Sequence, residues 1–300
     1  MSAPELSHLV DAVGRLLLGK EHQVRQALSC LLAGGHLLIE DRPGMGKSTL
    51  AEALARVFGL AFTRVSFTSD LLPADLTGLN VFNPAESSFC FQPGPLFTQV
   101  LLADEINRSS PRTQSALLEA MAAGRVSIDG VSHALPKPFF VIATQNSLDQ
   151  VGTSPLPEAQ LDRFLMRLSL GFPDRASERV LLCDGFDLSP DALPQLDPAD
   201  LQQLQQRCAS QHCSELLIDY VLDLAEFSRQ RHPGLSPRAS QGLLAAARAW
   251  SLLDGRDYVV IDDVQAVLPA VVEHRLDAGC PARDGAPLSQ ALLQAVPALR

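Results

Sequence analysis

His36-Leu37-Leu38-Ile39-Glu40-Asp41-Arg42-Pro43-Gly44-Met45-Gly46-Lys47-Ser48 decides the fold. The run at 36–40 is short and apolar, and the Pro and Gly punctuation behind it is typical of the turn that leaves a buried parallel strand. Beyond the turn, Leu50, Ala53, Leu54, Val57 and Phe58 recur at helical spacing and Gly59 stands at a helix stop, so the pattern predicts a helix over 47–58. Strand, Gly-rich turn and helix in that order is the context a phosphate-binding loop requires. Small residues let successive backbone N–H groups face phosphate oxygens, the helix N-terminus adds partial positive charge, Lys47 reaches the terminal phosphates, and the Ser48 hydroxyl can ligate Mg2+. The usual pattern opens on Gly where this chain has Asp41, which puts an acid beside an anion site, a placement that can weaken affinity.

Working outward, further strands are predicted at 62–67, 100–103, 139–143 and 164–170, separated by helical patterns such as 111–123. That alternation implies an α/β domain with a mostly parallel sheet covered by helices. Residues 125–134 alternate apolar and polar around Asp129-Gly130, the signature of a tight hairpin. Val100-Leu101-Leu102-Ala103 ends in Asp104-Glu105, which the sheet would present at its C-terminal edge, where ligands bind in open α/β folds. Asp104 is placed to hold Mg2+ through water, and Glu105 to orient and deprotonate the water that attacks a γ-phosphate. After Pro173 the strand signals mostly disappear. The expected organisation is an α/β domain over 1–185, a Pro- and Asp-rich linker over 186–198, and a helical domain over 199–276 with helices near 199–210, 214–231, 236–253 and 262–275. A tail over 277–300 is too mixed to assign.

Composition narrows the function. The 300 residues are 46% hydrophobic and 19% charged, enough for a sizeable core and unlike a disordered chain. A net charge of −10 argues against a surface built to hold nucleic acid. No apolar run reaches the roughly 18 residues of a membrane span. Glu5 and Asp11 precede the first cation, Arg15, which is the wrong charge order for a secretory signal, so a soluble cytoplasmic protein is expected. The six cysteines show no C-x-x-C spacing and read as small buried hydrophobes in a reducing compartment; Cys208, His212 and Cys213 lack an evident fourth metal ligand.

Together, Gly44-Met45-Gly46-Lys47-Ser48, Leu101-Leu102-Ala103-Asp104-Glu105-Ile106-Asn107-Arg108, Ala143-Thr144-Gln145-Asn146 and Leu156-Pro157-Glu158-Ala159-Gln160-Leu161-Asp162-Arg163-Phe164 closely resemble the MoxR family of AAA+ ATPases, from about Leu18 to Leu276. Pro111 to Met121 also looks like MoxR rather than a generic AAA+ segment. The resemblance implies a P-loop AAA+ core of parallel sheet sandwiched by helices, a C-terminal all-helical lid, and a homo-oligomeric ring, hexameric, with Mg-ATP at subunit boundaries. Pro43, Gly44, Met45, Gly46, Lys47, Ser48 and Thr49 would then bind nucleotide, with Leu18 and Gly19 lining the adenine pocket.

Asn146 matches the family's first sensor, which helps place the attacking water, although a turn Asn after a strand is common. Arg163 matches the arginine finger that one subunit supplies to its neighbour's ATP; read alone, Asp162-Arg163 is equally an ordinary surface ion pair. Arg238 comes after Ser236-Pro237, an N-cap and first helical position, where the helix dipole disfavours a cation and something anionic should compensate. The resemblance makes it the second sensor, touching the γ-phosphate in cis. It also implies that the insert at 78–97, with Phe82, Phe89, Phe91 and Phe97, lies near the ring surface or pore beside the hairpin at 125–134. The function implied is chaperone-like remodelling or maturation of a client protein complex, with a von Willebrand factor A domain partner and sometimes cofactor or metal insertion. A nucleotide-dependent DNA remodeller and a non-hydrolysing, nucleotide-gated scaffold are the alternatives.

Overall fold

The structure, a computed structural model, describes residues 3–146, 153–183, 193–230, 234–276 and 287–298. Most of the expected linker, 186–192, and the start of the tail, 277–286, lie outside the described residues. The chain opens with α1 (Ala3–Leu16) and α2 (Glu21–Leu32), then β1 (His36–Glu40), α3 (Lys47–Val57) and β2 (Phe62–Ser66). A short α4 (Pro73–Thr77) leads into a hairpin of β3 (Gly78–Asn83) and β4 (Ser88–Pro93). Next come β5 (Val100–Asp104), α5 (Pro111–Ala123), a second hairpin of β6 (Arg125–Ile128) and β7 (Val131–Ala134), and β8 (Phe140–Gln145). The core closes with α6 (Glu158–Leu161), β9 (Phe164–Leu168) and α7 (Arg175–Cys183), before α8 (Pro198–Ala209), α9 (Glu215–Arg229), α10 (Pro237–Leu253), α11 (Ile261–Leu276) and α12 (Leu288–Ala295).

β2, β5, β8, β1 and β9 form one sheet in that spatial order, every pair parallel. All five strands therefore end at the same edge, and the register sets Glu40 beside Gln145, Ala103 beside Ala143, and Ser66 beside Asp104. Alternation divides the buried strand residues between two cores: Leu37, Ile39, Leu102 and Ile142 with α1, α2 and α3, and Leu38, Leu101, Ala103 and Val141 with α5. α5 starts where the Ser110 hydroxyl accepts from the Thr113 N–H with Pro111 as first residue, and stops at Gly124, whose φ of 61° is left-handed.

The two hairpins leave from the opposite edge, because the chain enters β5 and β8 from there. Asp129 and Gly130 supply the positive φ of 48° and 81° expected of the second turn. The insert at 78–97 is itself a hairpin, joined to the second one by His133 stacked 4.0 Å from Phe91 and by Asn80 donating to Asp129 at 2.7 Å. Phe82 and Phe89 sit edge to face at its end, 50% and 71% exposed.

The helical domain docks behind the sheet. α10 packs on α2 and α11 on β9, where Arg275 donates to Asp162 Oδ1 at 2.7 Å and the Phe164 carbonyl at 2.7 Å. In the stretch that periodicity left unassigned, α12 packs on α11, its first N–H groups held by Glu273 at 2.7 and 3.0 Å. The described end of the linker is likewise packed: the Leu196 N–H donates to the Val57 carbonyl at 2.8 Å.

Candidate functional site

The turn after β1 folds as a phosphate cradle because Gly44 and Gly46 take φ of 81° and 87°, which wraps the backbone around the N-terminus of α3. Lys47 donates from Nζ to the Asp41 carbonyl at 2.6 Å across the loop. Burial lowers the Lys47 pKa, opposed by the nearby Asp41, Asp104 and Glu105. A cavity of about 430 Å³ opens here, and Pro43, Gly44, Gly46, Lys47, Ser48 and Thr49 line it with Asp104 and Glu105. The two segments that sequence spacing singled out separately thus face one space.

Asp41 does not point its carboxylate into that space. Oδ2 accepts from the Gly171 N–H at 2.6 Å and the Ser169 hydroxyl at 3.2 Å, and Oδ1 from the Arg42 N–H at 2.8 Å. Desolvation pushes its pKa up, but these hydrogen bonds outweigh it and hold the carboxyl below its usual range. The acid clamps the start of the loop to the chain after β9, which removes the physical reason for expecting it to weaken phosphate binding.

At the end of β5, Glu105 adopts φ 57° and ψ 48°, a left-handed conformation uncommon for a non-glycine residue and one that marks sites where side-chain direction matters. The buried Thr144 hydroxyl fixes both acids, donating to Asp104 Oδ1 at 2.6 Å and accepting from the Glu105 N–H at 2.9 Å. Glu105 also pairs with Arg108 at 3.1 Å, and Asp104 Oδ2 accepts from Arg64 at 2.5 Å. Thr144 and Arg64 were not legible as site residues. Thr144 stood inside the Ala143-Thr144-Gln145-Asn146 motif without a role of its own, and an Arg on an edge strand carries no signal until the register sets its strand beside β5.

Among the described residues, no cluster of three or more His, Cys, Asp or Glu side chains could hold a metal by itself. Ser48 and Asp104 nevertheless offer two hard oxygen donors to one cavity, a set that fits Mg2+ when phosphate oxygens and water complete the coordination. Asn146 comes directly after β8, whose last residue pairs with the end of β1, so it stands at the same strand edge as the cradle and the acids.

A second cavity of about 260 Å³ lies on the other side of the loop, lined by Leu16, Leu17, Leu18, Met45, Pro173 and Leu181 among others. Its apolar walls suit a planar base. Leu18 is among the residues that line it. Gly19 supports it from behind: at φ 71° it passes so close to α7 that a Cβ would lie 2.7 Å from the Ser177 hydroxyl.

Arg163 and Arg238 lie elsewhere. Arg163 donates to the Leu118 carbonyl at 3.0 Å, and Ser236, which caps α10, contacts Asp162 at 3.5 Å. The charge of Arg238 bears on His36, at the start of β1, and on Arg275. Both arginines are thus at the strand-start edge, away from Lys47. This corrects the expectation of a cis contact by Arg238: with α10 on α2 and α11 on β9, none of the described residues of the helical domain lines either of these two cavities.

Residues 36–166 match the family model described as "ATPase family associated with various cellular activities (AAA)", and residues 228–296 match the "AAA lid domain". The chain is 43% identical to the uncharacterized protein YeaC of Bacillus subtilis (strain 168), over 91% of this chain and 87% of that one. It is 40% identical to Chaperone MoxR1 of Mycobacterium tuberculosis, over 90% of this chain and 75% of that one. The crystal structure of an inferred ATPase from Cytophaga hutchinsonii superposes with a TM-score of 0.85 at 32% identity, covering 98% of this chain and 95% of the other.

Proposed function

The chain belongs to the MoxR family of AAA+ ATPases, and on that premise we propose that it hydrolyses Mg-ATP to remodel or mature a client protein complex. The observation that carries this reading is the single cavity shared by Lys47, Ser48, Asp104 and Glu105. In it the backbone of 43–48 and Lys47 bind phosphate, and the apolar slot at Leu18 takes the base. Ser48 and, through water, Asp104 would hold Mg2+, which would supply neutralising charge to the phosphate oxygens. Glu105, aimed by its own backbone and by Thr144, orients the attacking water and accepts its proton, and Asn146 helps to place that water.

The arginines support a ring. A protomer that keeps Arg163 and Arg238 at the edge opposite its own cradle can deliver them only to another copy, as a head-to-tail ring does. Arg163 then stabilises charge on the transferred phosphoryl group of a neighbour, in a homo-hexamer acting in the cytoplasm. The client is a protein complex, engaged with a von Willebrand factor A domain partner in cofactor or metal insertion; the relative called a chaperone favours this over DNA remodelling, as does the net charge of −10.

The test is ATP turnover by Lys47→Ala, Glu105→Gln and Arg163→Ala. Each should lose about 100-fold or more, with Glu105→Gln still binding ATP. Mixing the inactive Glu105→Gln and Arg163→Ala chains should restore turnover, because one contributes an intact cradle and the other an intact arginine. Undiminished hydrolysis in the three variants would refute the site, and no recovery on mixing would refute the shared one.

A further inference from the structure

Among the described residues Arg64 lines the cradle as a second cation beside Lys47, and the proposed hydrolysis gives it no task. It stands on edge strand β2 at the position paired with Leu102, two residues short of Asp104. Alternation puts it on the α3 side of the sheet, and its guanidinium runs toward the strand ends to meet Asp104 Oδ2. Both oxygens of that carboxylate are therefore engaged. Oδ1 is held by Thr144, which is buried and also carries the Glu105 N–H; Oδ2 faces a side chain that is 52% exposed. Thr144 cannot move without disturbing the general base, whereas Arg64 can swing into solvent.

We infer that Arg64 competes with the divalent cation for Asp104 Oδ2 and so sets the metal concentration at which the cradle loads. This rests on the nucleotide-binding reading. A metal-bound water needs a carboxylate lone pair, and a cation 2.5 Å from the same oxygen both occupies that direction and repels the incoming divalent charge. Asp104 is only 15% exposed on its side chain, so little of the carboxylate is open to a metal-bound water without displacing the arginine. Arg64 is a positioning residue here, acting through Asp104.

The experiment saturates the full-length chain with ADP and titrates Mn2+, reading free metal by electron paramagnetic resonance, so that no turnover is involved. In Arg64→Gln the half-saturating Mn2+ concentration should fall about threefold to tenfold. Arg64→Lys, which keeps the charge and serves if the Gln variant does not fold, should stay within about twofold of the parent. Ser48→Ala should move the other way and raise it. An unchanged or raised Mn2+ requirement in Arg64→Gln, with ADP still bound, overturns the inference alone and leaves Arg64 an ordinary surface ion pair. Failure of the parent chain to bind ADP is a different result, which overturns the nucleotide reading and this inference with it.

Discussion

The two edges of the five-stranded sheet both carry ionisable side chains and treat them in opposite ways. At the strand ends, Lys47, Arg64, Asp104 and Glu105 line a cavity, where Arg64 pairs with Asp104, Glu105 with Arg108, and Lys47 donates to the loop carbonyl of Asp41, contacts that a ligand can exchange. At the strand starts, Arg275, His274 and His36 are bound to backbone carbonyls: Arg275 to those of Phe164, Leu165 and Val271, His274 to that of Phe164, and His36 to that of Met121. Charges that answer to side chains or to a loop carbonyl can be re-paired, whereas polar groups tied to the backbone of strands and helices are part of the frame. One edge is built to change partners and the other to hold the helical domain in place.

The sharpest way to break that contrast is Arg275→Ala. The guanidinium is buried, and removing it takes a donor from the Asp162 carboxylate and from four carbonyls, those of Asp162, Phe164, Leu165 and Val271, of which Phe164 keeps His274. The expected loss is about 3–5 kcal/mol of unfolding free energy by urea titration, because breaking a buried ionic network strands the groups left behind. A loss below about 1 kcal/mol would place this arginine with the exchangeable charges.

A smaller effect comes from pH. His36 donates from Nε2 to the Met121 carbonyl and accepts at Nδ1 from the Val141 N–H at 3.1 Å, so its neutral ring is fully satisfied. Burial, with a smaller push from Arg238, lowers its pKa to about 4 from the ordinary 6.5, and His274 is lowered too by burial and by Arg275. A base whose folded pKa is depressed contributes stability that is complete above the unfolded pKa and is lost as pH falls toward the folded one. Unfolding free energy should therefore decline between pH 6.5 and about 4. His36 is not wholly shielded from solvent, so its share is about 1–3 kcal/mol, less than the full shift would give. His36→Gln should flatten that slope; a slope left unchanged would assign the whole pH dependence to His274 and other groups.

The same contrast explains what could be read in advance. The cradle and the Asp104-Glu105 pair were legible because their chemistry sits in short contiguous runs whose spacing is set by a strand meeting a helix. Leu18 needed the resemblance, since its slot is completed by Pro173 and Leu181 from far along the chain. Arg64 and Thr144 depended on which strand neighbours which, and a local pattern does not encode that order. The position of Arg238 was misread for a related reason. Its helix was placed well from Ser236-Pro237, but the docking of that helix is fixed by α2 and, through α11, by Arg275 and His274 on β9 carbonyls. No periodicity records such contacts.

Asp41 is where the two plans meet, and it gives the smallest effect. It belongs by position to the exchangeable edge, yet its carboxylate is bound by the N–H groups of Gly171 and Arg42 and the hydroxyl of Ser169, in the manner of the other edge. Restoring the usual first glycine, Asp41→Gly, should therefore lower stability by about 1–2 kcal/mol, through the lost charge-assisted bonds to Gly171 and Arg42, instead of relieving a repulsion. Nucleotide affinity, read by equilibrium dialysis with ATP, should stay the same or fall as the loop loosens. A gain in affinity with stability intact would mean that the acid does oppose phosphate, and that this corner of the strand-end edge is exchangeable after all.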